Sequence, residues 1–106
     1  MTSQIKIILA ELRRRLEELY GERLERLVLF GSQARGDAED GSDIDVLIVL
    51  KGTVDTGREL GHVSGITSEL SLENSVVISS VVISAERFTR GTGSLLSNVY
   101  REGVTI

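Results

Sequence analysis

Two aspartates, Asp43 and Asp45, stand at positions i and i+2 at the start of an apolar run that reads Val-Leu-Ile-Val-Leu. In a β-strand, side chains at i and i+2 point to the same face, so both carboxylates are expected on one face and Ile44 on the other. Adjacent carboxylates repel each other unless a cation lies between them. Because the sequence contains no cysteine and one histidine, oxygen atoms would supply most metal ligands, which favours Mg²⁺ or Mn²⁺.

A short glycine-serine segment, Gly31-Ser32, directly follows a second apolar run, Leu27 to Phe30. Glycine allows the backbone to approach a ligand closely. Ser32 is predicted to cap a short helix, whose N-terminus would present free N–H groups to a phosphate. A phosphate-binding turn and a metal-binding pair on adjacent strands would together hold a magnesium nucleoside triphosphate. The glycine-containing loop between them, residues 36–42, has acidic side chains that are expected to be solvated: Asp37, Glu39 and Asp40.

The rest of the chain predicts an α/β layer structure around a small sheet. Apolar residues at spacings of three and four predict an N-terminal helix that ends at Gly21, with further helices around residues 60–70 and 95–100. Runs rich in Leu, Ile and Val predict three strands, at residues 27–30, 46–50 and 76–84. Strands that are apolar on both faces are typical of central strands that helices cover.

Length and composition narrow the classes of function. At 106 residues, the chain fits one domain spanning residues 1–106. Its net charge of -4 argues against a broad nucleic-acid-binding surface, which would be basic. No apolar run reaches the ~18 residues that span a bilayer, and the first residues carry no signal-peptide pattern. We therefore expect a cytoplasmic protein without a membrane partner and without nucleic acid as a ligand.

The segment from Gly31 to Asp45 resembles the signature of the DNA polymerase β-like nucleotidyltransferase superfamily, and in particular its minimal branch of small bacterial and archaeal proteins. The matching pattern is Gly-Ser-x-Ala-Arg-Gly, five residues, then Ser-Asp-x-Asp, and a closing segment over residues 95–104 is also similar. The resemblance implies a small mixed β-sheet packed with helices, the palm core of that superfamily. It implies transfer of a nucleoside monophosphate, AMP from Mg-ATP, to an acceptor hydroxyl. The implied nucleotide-binding residues are Gly31, Ser32, Arg35 and Ser42, and the implied metal ligands and catalytic residues are Asp43 and Asp45.

A third carboxylate is missing from this pattern. Superfamily members that catalyse transfer normally carry one on the strand after the aspartates, whereas residues 75–84 contain no acid. Either Ser79 or Ser80 would occupy that position, and Glu73 is the first candidate for a substitute ligand. Two hypotheses follow: a nucleotidyltransferase with weak turnover on its own, or a catalytically inactive binding module that acts as an antitoxin or partner protein. For Arg35, a surface ion pair and a role in orienting Asp43 or phosphate both remain open.

The resemblance also implies a protein partner. Minimal nucleotidyltransferases resemble the antitoxin half of two-component modules whose other half is a small helical HEPN-type protein. A tyrosine of such a partner would be a suitable acceptor of AMP. Self-association through the strand Val76 to Ile83 is the alternative, because an uncovered edge strand readily pairs with a copy of itself.

Overall fold

Four strands form one sheet in the computed structural model, which describes residues 1–39 and 41–106 and so leaves the predicted loop residue Asp40 outside. The strands are β1 (Leu24–Phe30), β2 (Ile44–Leu50), β3 (Ile78–Ser84) and β4 (Val104–Thr105). The helices are α1 (Ser3–Tyr20), α2 (Ser32–Arg35), α3 (Thr56–Asn74), α4 (Ala85–Arg90) and α5 (Ser94–Glu102). The strand order is β3-β2-β1-β4; β2 and β3 are parallel, and the other neighbours are antiparallel. This mixed sheet packed with helices confirms the predicted α/β class.

The sheet has helices on both faces, and the alternation of side chains along β2 assigns residues to the two layers. Even-numbered residues such as Ile44 and Ile48 belong to one core cluster with the apolar residues of α1 and α3. The odd-numbered residues Leu47 and Val49 belong to a second cluster with residues of α4 and α5. Because β2 is buried on both faces, its sequence is a continuous apolar run, as expected for a central strand.

Helix α1 forms from the predicted apolar stripe. Thr2 caps its first turn, accepting a hydrogen bond from the Ile5 N–H at 3.2 Å. Gly21 ends the helix with a φ of 56°, which glycine adopts without steric cost. The buried residues are Ile5, Ile8, Leu9, Leu12 and Leu16. On the solvated side, Arg13 and Arg14 pair with glutamates of the same helix, which stabilises an exposed helical face modestly.

Helix α3 extends beyond the predicted stripe, from its Asp55 cap to Asn74. A Cβ at Gly61 or Gly65 would have no described neighbour within 4 Å, so close packing does not explain these two glycines. The helix is joined to α1 through Glu59, which is buried and accepts a hydrogen bond from the Tyr20 hydroxyl at 3.0 Å. Burial, together with this hydrogen bond, raises the pKa of Tyr20 to about 12.

The chain ends with elements that the sequence pattern only partly indicates. Helix α4 was not predicted, and the last helix is longer than the stripe at residues 95–100. The strand β4 is two residues long and pairs with Val28 and Leu29 of β1, which places the C-terminus at one edge of the sheet. None of the helices in residues 1–39 and 41–106 is both long and apolar enough to cross a membrane.

Candidate active site

Asp43 and Asp45 lie where the end of β1 meets the start of β2. In the antiparallel register of these strands, Asp45 is paired with Phe30, the last residue of β1. Asp43 is exposed and Asp45 is partly buried, whereas Ile44 between them is fully buried with the cluster on the opposite face. The two carboxylates therefore share one face of the sheet, the face that α4 and α5 cover, in agreement with the period of a strand.

Gly31 brings the backbone directly against the Asp45 carboxylate. Its φ of 73° and ψ of -158° lie in a region that is essentially restricted to glycine. A Cβ added at this position would overlap Asp45 Oδ2. The backbone conformation favours glycine here, and a side chain at this position would also displace the Asp45 carboxylate, so the turn after β1 is in direct contact with one member of the acidic pair.

Ser32 is the first residue of α2, and Gly31 occupies the cap position. The predicted capping role of Ser32 is wrong, because the turn needs the glycine conformation one residue earlier and no side chain caps this helix. The N–H groups of Ala34 and Arg35 both donate to the Gly31 carbonyl at 3.1 Å. The N–H groups of Ser32 and Gln33 precede these bonds, and such groups at a helix start need partners from outside the helix.

The two carboxylates repel each other when no cation is present. Burial raises the pKa of Asp45, the negative charge of Asp43 raises it further, and the positive charge of Arg35 opposes both effects. Among the described residues, no group of three or more His, Cys, Asp or Glu side chains is placed to hold a metal ion. Mg²⁺ is commonly bound by one or two protein carboxylates together with waters and substrate phosphates. The pair therefore fits Mg²⁺ or Mn²⁺ that arrives with further oxygen ligands.

Asp45→Asn is expected to stabilise the protein at neutral pH when metal and nucleotide are absent. The folded state holds the Asp45 proton more tightly than the unfolded chain does, so ionisation of Asp45 lowers the free energy of unfolding as the pH rises through its raised pKa. The advantage of the variant should be present near pH 7 and absent below about pH 3.9, the ordinary pKa of an aspartate. Urea unfolding across this range measures it, and a difference that does not vary with pH would contradict the expectation.

Of the two serines considered for the position of the missing third carboxylate, Ser79 is the one that lies beside the aspartates. In the parallel register of β2 and β3, Ser79 is paired with Asp45, and its hydroxyl donates to Asp43 Oδ2 at 3.4 Å. Ser80 is paired with Val46 and so belongs to the opposite face. The choice of Glu73 as a substitute ligand is wrong, because Glu73 pairs with Arg15 between α3 and α1, on the other side of the sheet.

Arg35 and Ser42 both form hydrogen bonds with residues other than the two aspartates. Arg35 donates through Nε to Asp37 at 3.2 Å and through Nη1 to Glu102 at 3.1 Å. The Ser42 hydroxyl accepts from the Glu39 N–H at 2.9 Å, and the Ser42 N–H donates to the Glu39 carbonyl at 3.0 Å. Ser42 thus closes the loop before the aspartates. The contact with Glu102 was not predicted, since no local pattern connects residues 67 positions apart.

A groove of about 490 Å³ lies along the loop that precedes the aspartates. Its lining includes Gln33 and Ser42, together with residues from the start of α1 and from the turn after α3. Neither Asp43 nor Asp45 is among the described residues that line it. The acidic pair therefore lies outside this groove, and Ser42 is the lining residue that directly precedes it in the chain.

Sequence comparisons identify relatives over most of the chain. The family model described as a nucleotidyltransferase domain matches residues 9–103. A protein of Methanocaldococcus jannaschii that carries the name protein adenylyltransferase is 40% identical over 89 residues, which cover 83% of each chain. A second protein of the same organism and the same name is 36% identical over 75 residues, which cover 71% of this chain and 75% of the relative.

Solved structures share the fold. A protein of Sulfolobus solfataricus described as a nucleotidyltransferase superposes with a TM-score of 0.67 and 26% identity, covering 97% of this chain and 81% of its own. A toxin-antitoxin protein crystallised with AMP-PNP superposes with a TM-score of 0.61, covering 98% of this chain and 72% of its own. At 21% identity, this second likeness concerns the fold alone.

Proposed function

The chain belongs to the nucleotidyltransferase domain family, and from this premise we propose that it binds Mg-ATP and transfers AMP to a hydroxyl group of a partner protein. The observation that carries the proposal is the pair Asp43 and Asp45 on one face of the sheet, held against the Gly31 turn. The names of the archaeal relatives support AMP as the transferred group and a protein as the acceptor.

In the proposed complex, Asp43 and Asp45 hold the magnesium ion, and the Gly31 turn admits the triphosphate next to it. When bound, the metal supplies positive charge that polarises the phosphate oxygens and offsets the charge developing on the leaving group. The N–H groups of Ser32 and Gln33, which precede the helical hydrogen bonds of α2, are donors for phosphate oxygens. Ser42 contributes by fixing the loop that leads to the aspartates.

The proposed reaction is an in-line displacement at the α-phosphorus of ATP. The acceptor hydroxyl oxygen forms a bond to this phosphorus, the bond to the bridging oxygen breaks, and pyrophosphate leaves with the electron pair. The hydroxyl proton passes to solvent, which reaches the site because Asp43 is exposed. In such reactions the protein contributes mainly by positioning the groups and neutralising charge.

Binding of Mg-ATP is tested by melting curves. A ligand that binds only the folded state should stabilise wild type by about 2.7 kcal/mol at a hundredfold excess over its Kd. Asp43→Asn and Asp45→Asn should lose this shift, whereas Glu25→Gln, which removes a charge at an exposed position of β1, should keep it. If both aspartate variants keep the wild-type shift, the assignment of the site is wrong.

A second candidate function is a nucleotide-binding module with little or no turnover. The observation that favours it is Ser79, which stands beside the two aspartates without bringing a third negative charge. A metal held by two protein carboxylates is positioned adequately, but a second metal, needed on the other side of an in-line displacement, would be held poorly. Incubation with α-labelled ATP followed by denaturation separates the two candidates, because only transfer leaves label that is covalently attached to a protein.

The proposed partner is a helical HEPN-type protein, with a tyrosine hydroxyl as the acceptor. The toxin-antitoxin complexes that share this fold support a two-protein arrangement. The competing arrangement is a homodimer through β3, which lies at one edge of the sheet. Co-purification from the native host, followed by intact mass of each bound protein, separates them: a helical partner with one or more added AMP groups supports transfer, an unmodified helical partner supports masking, and self-association alone contradicts both.

A further inference from the structure

Arg35 is the last residue of α2, the short helix that begins at the Gly31 turn, and the backbone of this turn lies against the Asp45 carboxylate. Its guanidinium forms ion pairs with two carboxylates, and these differ in how exposed they are. Asp37 is two residues away in the same loop, and its side chain is 63% exposed. Glu102 comes from the far end of the chain, and its side chain is 15% exposed. Since exposed ion pairs are weak and Glu102 is the less exposed carboxylate, its contact is the one better able to fix the guanidinium.

Glu102 is itself held in place by the structure around it. It is the last residue of α5, and the N–H of the next residue, Gly103, donates to the Val99 carbonyl at 2.8 Å. A Cβ at Gly103 would lie 2.7 Å from Val28 Cγ1, so the backbone here is packed tightly against β1. The following residue pairs with Leu29 of β1. The end of α5 is therefore fixed to the strand that leads into the Gly31 turn.

We propose that Glu102 is a positioning residue for nucleotide binding: it holds the Arg35 guanidinium so that the remaining N–H donors of this side chain meet the triphosphate. The inference rests on the proposed function. A guanidinium has five N–H donors, and planar donor pairs match phosphate oxygens well. With one donor on Asp37 and one on Glu102, three remain for a phosphate. A side chain ordered before the ligand arrives loses less conformational entropy on binding.

Removal of Glu102 is expected to change the affinity for Mg-ATP in opposite directions if the residue acts by positioning Arg35 and if it acts only through its charge. Glu102 is negative and lies close to a site for an anionic triphosphate, so removing its charge alone should tighten binding of Mg-ATP. If Glu102 acts by positioning Arg35, its removal should weaken binding, by about three- to tenfold for one side chain that loses its preorganisation. The direction of the change therefore separates the two roles.

The experiment is a titration of Mg-ATP into wild type, Glu102→Ala and Glu102→Gln by calorimetry, with Asp37→Asn as the matched control on the same guanidinium. We expect weaker binding in Glu102→Ala, a smaller loss in Glu102→Gln because its amide oxygen can still accept, and no loss in Asp37→Asn. In an Arg35→Ala background, Glu102→Ala should have no further effect, because contacting residues that act as one unit are not additive.

The outcomes distinguish this inference from the proposed function. Wild type that does not bind Mg-ATP contradicts the proposed function and this inference with it. Wild type that binds, together with unchanged or tighter binding in Glu102→Ala, contradicts the positioning role alone. An equal loss from Glu102→Ala with and without Arg35 also contradicts it, since the effect would then come from a general disturbance of the fold. A melting curve of each variant without ligand identifies such a disturbance directly.

Discussion

Gly31→Ala is expected to destabilise the fold and to abolish binding of Mg-ATP. Backbone strain in this region of φ and ψ costs about 1–3 kcal/mol for a residue with a side chain. The added methyl group would also overlap Asp45 Oδ2, so either the turn or the carboxylate must move. Because both belong to the proposed site, relief of the overlap should separate the phosphate-binding turn from the metal-binding pair.

Gly36→Ala is the control for this prediction. Gly36 also has a positive φ, 82°, but a Cβ there would have no described atom within 4 Å. It should therefore cost about 1 kcal/mol from the backbone conformation alone and keep the shift in melting temperature with Mg-ATP. The midpoint of urea unfolding and the Mg-ATP melting shift are measured for both variants. Retention of the full shift in Gly31→Ala would show that contact between the turn and Asp45 is unnecessary.

Ser79→Asp is expected to increase the affinity for Mn²⁺ alone by at least about tenfold and to increase labelling of a partner by α-labelled ATP. Ser79 is paired with Asp45 and hydrogen-bonded to Asp43, so a carboxylate at this position would join the other two on one face. Two unit charges ~4 Å apart interact by about 4 kcal/mol at an effective dielectric constant of 20, before the cost of removing water. A fraction of this energy is enough for the expected change in affinity.

The matched control is Ser68→Asp, which adds the same charge at an exposed position of α3, on the opposite face of the sheet. Titration of Mn²⁺ into both variants and wild type measures the effect without relying on activity. Equal gains in the two variants would mean that general charge, and not the geometry of the site, attracts the cation. A lower melting temperature of Ser79→Asp that Mn²⁺ restores would add support, because three adjacent carboxylates repel one another without metal.

The sequence predicted the features that depend on local periodicity. The stripe of α1, the continuous apolar run of β2 and the shared face of Asp43 and Asp45 all follow from the repeat of a helix or a strand. These patterns lie within one element, so no knowledge of distant contacts is needed. The turn at Gly31 was also predicted, although the cap was placed one residue late because glycine and serine are both common at that position.

The features that were missed depend on contacts between distant parts of the chain. Two adjacent serines on β3 could each face the aspartates, and the register of β2 and β3, which selects Ser79, is not encoded in a local pattern. Glu73 is near in sequence, but α3 carries it to the opposite side of the sheet, where Arg15 binds it. The contact of Arg35 with Glu102 depends on the pairing of β4 with β1, which places the end of α5 near α2, and β4 is too short to show an alternation.

The position of β3 at the edge of the sheet has a consequence for the abundance of the protein. Its sequence, Ile-Ser-Ser-Val-Val-Ile-Ser, contains no charged residue and no proline, the two features that most often protect an edge strand from pairing with other chains. Short uncharged segments rich in β-branched residues are also typical of cross-β aggregates. Chains that are made in excess of a partner that covers the β3 edge are therefore expected to aggregate. Aggregation would then limit the concentration of the free protein.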